Sequence, residues 1–321
     1  MTTSGLNLGR GVPAFAGFPT AELADIISSS VTIFGVPTQS EPPKRPGCVS
    51  GPLAIREASL EVMRCYFESP SRTVVNIKTG RKTRLREDIV GLDIGDLAIP
   101  EQLSKSALDT IAGLVKFIVN RGSIPVLLGG DSRTVEGMIR GFLKDRMKTG
   151  IIIFTKKLTL SPMQGMGEIA LSSLLGRANQ QDQCPMLCVG INGLQPKAAW
   201  LGLKNIGGSV VTADSIYDNG IKSAIDPIKA FANNYDRVIY CIDFEVLDSG
   251  FAAGTPSINV GGITPEQMTE ILLETNVSNK VAGIAVTNVA PSLDKRGHTE
   301  YIAAETVVAL LTDHLFNELS K

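Results

Sequence analysis

Hydrophobic and polar positions along the chain follow two alternating patterns. Eight short stretches are apolar at nearly every position: "SVTIFGVP" (30–37), "DIVGLDIGD" (88–96), "SIPVLLGG" (123–130), "GIIIFT" (150–155), "PMLCVGI" (185–191), "GSVVTA" (208–213), "RVIYCIDF" (237–244) and "KVAGIAVTNV" (280–289). Unbroken apolarity of this length, rich in β-branched residues, predicts parallel strands covered on both faces rather than strands with one wet face. Between them "PLAIREASLEVMRCYF" (52–67), "SALDTIAGLVKFIVNRG" (106–122), "TVEGMIRGFLKD" (134–145), "AIDPIKAFANN" (224–234) and "TPEQMTEILLET" (264–275) place apolar residues at helical spacing. Ser50-Gly51-Pro52 and Thr264-Pro265 are helix-start signals, with Glu266 and Gln267 near the positive end of the dipole. The closing pattern "TEYIAAETVVALLTDHLFNEL" (299–319) predicts one long terminal helix. Strand–helix alternation from end to end predicts a single α/β domain over residues 1–321, a three-layer αβα arrangement around an about eight-stranded parallel sheet.

Such sheets bind ligands beyond the carboxyl ends of their strands, so the residues just after each strand carry the chemical information. They are Asp93 and Asp96, Gly129-Gly130-Asp131-Ser132, Thr155 to Thr159, Asp243-Phe244-Glu245 with Asp248, and Thr287-Asn288. The fourth strand ends in "TKKLT", placing two lysines and two threonines where a ligand site is expected.

Composition narrows the function classes. A net charge of −1 with scattered lysines and arginines leaves no electrostatic footprint for nucleic acid. No apolar run is long enough to cross a bilayer. The N-terminal "MTTSGLNLGRGVPAFAGF" has no basic segment followed by an apolar one, and the C-terminal "NELSK" is not the Ser-Lys-Leu peroxisomal address. A cytoplasmic protein is expected. Five cysteines are too few and too odd in number for a disulfide framework. Cys184, Cys188 and Cys241 read as small buried hydrophobes, whereas Cys48 in "EPPKRPGCVSG" is the candidate exposed, redox-capable thiol. The chain holds two histidines, His298 and His314, both beyond the last strand end.

In order along the chain, the strand ends resemble the ureohydrolase family (arginase, agmatinase, guanidinobutyrase, formiminoglutamase) of the arginase/deacetylase fold. "VTIFGVPTQS" with "KRPGCVSGPLAIREAS" looks like the agmatinase-type entry, and "GLDIGDLAIP" like the Asp-x-Gly-Asp segment. "PVLLGGDSRTVEG" looks like Gly-Gly-Asp-His-Ser, and "YCIDFEVLDSGFAAGTPSINVGGITPEQ" like Ser-x-Asp-x-Asp-x-x-Asp-Pro with its Gly-Gly-Leu-Thr. "GIAVTNVAPSLDKRGHTEYIAAETV" looks like Asp-x-x-Glu-x-x-Pro and the closing helix.

The resemblance implies a two-manganese site whose bridging hydroxide attacks a guanidinium carbon, held by carboxylates and imidazoles. Carried over by that resemblance, the first ligand histidine falls on Ser132, and the Asp-x-His-x-Asp ligands on Thr155, Lys157 and Thr159. The last ligand pair falls on Asp243 and Glu245, the proton-transfer histidine near Met166, and the guanidinium-gripping glutamate on Asn288. Asp131 reads as a backbone-orienting residue, and Ser132 lacks a histidine base that would make it a nucleophile. The expectation is a vestigial pocket with no metal and no cofactor, remnant ligands Asp243 and Glu245, and a compensating ammonium. Strand alternation assigns that ammonium to Lys157, or to Lys156 if the register shifts by one. Three functions are in play: a non-catalytic binding or regulatory protein; a divergent hydrolase of a guanidino or amidino C–N bond, metal-independent or weakly metal-dependent; and a true metal hydrolase with differently placed ligands, against which the count of two histidines argues. The resemblance also implies a homo-oligomer, trimer or hexamer, and suggests pairing with an active relative.

Overall fold

A computed structural model describes residues 8–9, 13–26, 31–39, 45–75, 77, 80, 82–85, 91–142, 147–158, 185–205, 207–275, 280–311 and 316–318. The sequence-predicted strands appear as β2 (Val31–Val36), β5 (Gly91–Leu97), β6 (Ile124–Gly129), β7 (Thr149–Phe154), β8 (Met186–Ile191), β9 (Ser209–Thr212), β10 (Arg237–Asp243) and β11 (Val281–Thr287). All eight are parallel, in the order β5-β2-β6-β11-β10-β7-β8-β9. A two-residue strand, β1 (Leu8–Gly9), adds to β5 as an antiparallel edge. Among the described residues the sheet therefore has nine strands.

Helices cover both faces. One layer contains α1 (Gly51–Val62), α6 (Ala213–Asn219), α7 (Lys222–Asn233), α8 (Pro265–Glu274) and α9 (His298–Leu310), whose Ile55, Ile216, Ile228, Met268 and Val307 share a core with Val126, Tyr240 and Ile284 of the sheet. The other contains α3 (Lys105–Asn120), α4 (Val135–Phe142) and α5 (Lys197–Asn205), with Leu108, Ile111, Met138 and Leu203 packed on Leu127, Ile151 and Ile239. Local signals operate as read: the Thr264 hydroxyl accepts from Gln267 N at 3.1 Å while the Gln267 amide oxygen accepts from Thr264 N at 2.9 Å. That reciprocal pair closes a capping box at the start of α8.

Three features depart from the sequence reading. The first helical pattern divides, because α1 ends at Val62 and a short α2 (Arg64–Glu68) follows Met63. The long terminal helix stops at Leu310, and Phe316–Glu318 instead forms β12, antiparallel to β4 (Lys82–Leu85), which pairs in turn with β3 (Thr73–Val75). Long-range pairing within the chain, which satisfies the edge of β4, overrides the helical spacing of the last turns. Helices α5 and α6 had no sequence assignment, their apolar faces being short: Ala199 and Leu203 in one, Ala213 and Ile216 in the other.

One buried ionic cluster ties α1 to the sheet. Arg56 is fully buried and grips Asp93 of β5 with two nitrogens, Nε to Oδ2 at 2.8 Å and Nη2 to Oδ1 at 3.0 Å, while Nη1 reaches Asp96 at 2.5 Å. Asp93 also accepts from Phe15 N and Gly95 N. A side chain at Gly35 would put its Cβ 1.8 Å from Asp96 Oδ1, so glycine there leaves room for the carboxylate. Removing the guanidinium leaves buried carboxylates uncompensated. Arg56→Met is therefore expected to lose about 3–5 kcal/mol in denaturant unfolding, and a loss below about 1 kcal/mol would show that the cluster does not anchor the helix.

Candidate functional site

The carboxyl ends of four adjacent strands, β6, β11, β10 and β7, meet at the centre of the sheet. From β6 the chain runs Gly129-Gly130-Asp131-Ser132 into α4. A Cβ on Gly130 would lie 1.8 Å from Thr38 O, so the loop end of β2 crosses there against bare backbone. Asp131 Oδ1 accepts from Arg133 N at 3.0 Å and its carboxylate meets the Arg133 guanidinium at 3.3 Å, fixing the turn that opens α4.

Asn288, directly after β11, has φ +63, a left-handed backbone that asparagine tolerates better than most side chains. This conformation aims its amide between two strands. Oδ1 accepts from Ser132 N at 3.1 Å and Nδ2 donates to Asp243 Oδ1 at 2.8 Å, while its own N–H donates to Gly130 O. Asp243 ends β10 and also receives Glu245 N at 3.0 Å and the Thr155 hydroxyl at 3.2 Å. Three neutral donors thus surround one carboxylate.

Beyond Phe154 the chain leaves strand geometry, and the alternation used to orient the two lysines ends there. This corrects the assignment of the inward ammonium to Lys157. Lys156 is the buried one, 6% exposed, and its Nζ stands 3.9 Å from Glu245 Oε2. Lys156 Nζ also donates to Ser257 Oγ at 2.5 Å and Ile258 O at 2.7 Å. Lys157 is exposed and its Nζ meets Ser257 Oγ at 3.2 Å. Thr159 and Met166 lie outside the described residues, as do Cys184 and His314. His298 opens α9.

Burial dominates the electrostatics. It raises the Glu245 pKa to about 8, with the charge of Asp243 adding and Lys156, Lys157 and the Ser257 hydroxyl opposing. Burial likewise raises Asp243 despite its donors, and lowers Lys156 despite the nearby carboxylates. The expectation of an exposed, redox-capable Cys48 is overturned: the residue is 2% exposed. Burial pushes its thiol far above its ordinary value, and Asp131, Glu245 and Asp243 add to that shift. The polar loop around Cys48 suggested exposure, but the loop folds its cysteine inward against the site. Cys65 is the exposed free cysteine among the described residues. Sequence reasoning also missed Ser257 and Asn259. The latter donates to Glu245 O at 2.9 Å and Val246 O at 3.1 Å, binding the 255–261 loop to the end of β10. Their polar character inside an apolar-flanked "PSINV" was the available signal.

With this geometry in hand, comparison with known proteins is decisive for ancestry. The Arginase family model matches residues 29–312. The chain belongs to the arginase family. An agmatinase of Bacillus anthracis is 26% identical over 296 residues, covering 88% of this chain and 91% of that one. Proclavaminate amidinohydrolase of Streptomyces clavuligerus is 24% identical, covering 88% of this chain and 87% of its own. Among solved structures, formimidoylglutamase of Bacillus subtilis superposes with a TM-score of 0.79 at 20% identity, covering 97% and 95% of the two chains. The arginase-family member thus keeps the ureohydrolase fold along nearly its whole length. Among the described residues no group of three or more His, Cys, Asp and Glu side chains is placed to hold a metal ion. No helix among them is long and apolar enough to cross a membrane.

Two outcomes test this electrostatic arrangement. Lys156→Met removes the ammonium beside Glu245 together with two charge-assisted hydrogen bonds and is expected to cost about 2–3 kcal/mol, whereas Lys157→Met changes stability by less than about 0.5 kcal/mol; urea denaturation of both variants decides it. For pH, Glu245 has a folded pKa of about 8 against an ordinary 4.5, so the folded state holds the extra proton between those values. Its contribution is fully present below 4.5 and is lost as pH rises through 8. Glu245→Gln should flatten the fall in stability across that window, whose slope from one group is at most about 1.4 kcal/mol per pH unit; an unchanged slope would put the proton elsewhere.

Proposed function

We propose that this arginase-family protein no longer performs binuclear-manganese hydrolysis and serves as a non-catalytic binding or regulatory protein. The observation that carries this reading is the occupation of Asp243. The carboxylate that relatives would turn to metal is here held by the Thr155 hydroxyl, the Asn288 amide and the Glu245 N–H. Its companion Glu245 has an ammonium, Lys156, as its cationic neighbour. An ammonium is itself a cation and offers no lone pair to a metal, and threonine and asparagine are weak substitutes for carboxylate and imidazole. The donor set does not fit a pair of divalent cations, so no hydrolytic step is derived through them. Asn288 fits the same reading, since a glutamate in its place would set a third carboxylate against Asp243.

Retained glycines speak for selection on the fold. Gly130 and Gly262 stand where a Cβ would meet backbone, at 1.8 Å from Thr38 O and 2.5 Å from Asp248 N respectively. A cytoplasmic homo-oligomer, trimer or hexamer, working beside an active relative is the setting this reading gives the protein. The divergent-hydrolase alternative would pair a lysine with Asp243 as acid and base; the buried Lys156 is instead engaged by Ser257 Oγ and Ile258 O, and Asp243 by three neutral donors.

Elemental analysis of the purified protein after incubation with Mn²⁺ should find less than one equivalent, with no urea released from arginine or agmatine. A bimetallic stoichiometry or turnover would overturn the reading. Combining Ser132→His, Thr155→Asp, Lys157→His and Thr159→Asp with Lys156→Ala should restore metal uptake, and failure in a folded variant would refute the positional correspondence.

A further inference from the structure

The two lysines after β7 create an imbalance that the fold alone does not require. Both ammonium groups converge on one neutral acceptor, Ser257 Oγ, from Lys156 at 2.5 Å and from Lys157 at 3.2 Å. Lys156 has a second acceptor in Ile258 O and a carboxylate, Glu245, at 3.9 Å. Lys157 has neither. Among the described residues Ser257 Oγ is the one hydrogen-bond acceptor of its ammonium, and no carboxylate lies within ion-pair distance. Asp243, the remaining carboxylate nearby, is already engaged by neutral donors from three directions. Two cations on consecutive residues repel, and at partial burial that repulsion is not fully screened.

An oxyanion between the ammonium groups would remove the imbalance and accept charge-assisted hydrogen bonds from both. We propose that Lys157, with Lys156 and Ser257, forms a binding site for the oxyanion group, carboxylate or phosphate, of a small molecule. The inference rests on the reading above that the site has left metal hydrolysis, and it states what the altered pocket selects. A site for a guanidinium cation presents carboxylate; this mouth presents ammonium. The next residue in the chain, Ile258, is 66% exposed and gives an apolar side chain beside the hydroxyl for the organic part of such a ligand. The loop carrying Ser257 is tied down by the protein's own hydrogen bonds: Asn259 donates to Glu245 O and Val246 O, and Asn192 Nδ2 donates to Val260 O at 2.8 Å. The acceptor is therefore positioned before binding, which limits the ordering cost.

The test is calorimetric titration of the full chain at low ionic strength with succinate, with inorganic phosphate, and with agmatine as the cationic control. Saturable binding of succinate or phosphate is expected, weakened at least tenfold by Lys157→Met and by Ser257→Ala, with agmatine neither binding nor competing. The stronger of the two anions identifies the preferred oxyanion. Absence of binding by both anions, equal displacement by chloride, or a Lys157→Met affinity within twofold of the parent would overturn the site. Urea release is measured on the same samples: turnover would overturn the loss of hydrolysis whatever the titration gives. A failed titration without turnover would overturn the anion site alone.

Discussion

A half-buried carboxylate at the end of a central strand must be compensated, and the candidate site is arranged around how that is done for Asp243. Its strand lies between β11 and β7, so the compensating groups come from the neighbouring strand ends: Asn288 from one side and Thr155 from the other. Neither group is charged. They lower the cost of burial by hydrogen bonding, which explains why burial still holds the Asp243 pKa above its ordinary value. The single cation that enters, Lys156, faces Glu245 instead. Compensation is thus divided between a hydrogen-bonded Asp243 and a lysine–glutamate contact, and losing one member of either leaves the other less well matched.

The same physics recurs where the scaffold is held together. Arg56, fully buried between α1 and β5, is answered by Asp93 and Asp96 with bidentate geometry. There a guanidinium supplies the match, because its planar fork fits a carboxylate edge. At the candidate site a compact ammonium sits at the looser distance of 3.9 Å and spends its hydrogen bonds on a hydroxyl and a backbone carbonyl. The first arrangement anchors a helix on the sheet. The second fastens a loop, Thr255 to Gly261, to the end of β7. Family membership explains why these strand ends meet, and their side chains decide how the carboxylates there are answered.

Eight strands and most helices were legible in the sequence because their signals are local: unbroken apolar runs, helical spacing, and caps such as Thr264 with Gln267. The ordered motifs also marked the family, and the residues they singled out, Asp243, Glu245 and Asn288, come together through hydrogen bonds to the Asp243 carboxylate. Less local features were read wrongly. The terminal helix ended early because residues 316–318 pair with β4. Cys48, placed in a polar loop, is buried against the carboxylates.

The sequence by itself determined the layered α/β architecture and which strand ends carry polar residues, since both follow from periodicity and order along the chain. Tertiary structure alone decided which lysine faces inward, because strand alternation stops at Phe154 and the following bend sets the direction of each side chain. It also supplied Ser257, which lies 101 residues beyond Lys156 in the chain yet receives its ammonium. A contact of that span depends on how the strands are ordered in the sheet, and no local pattern encodes it.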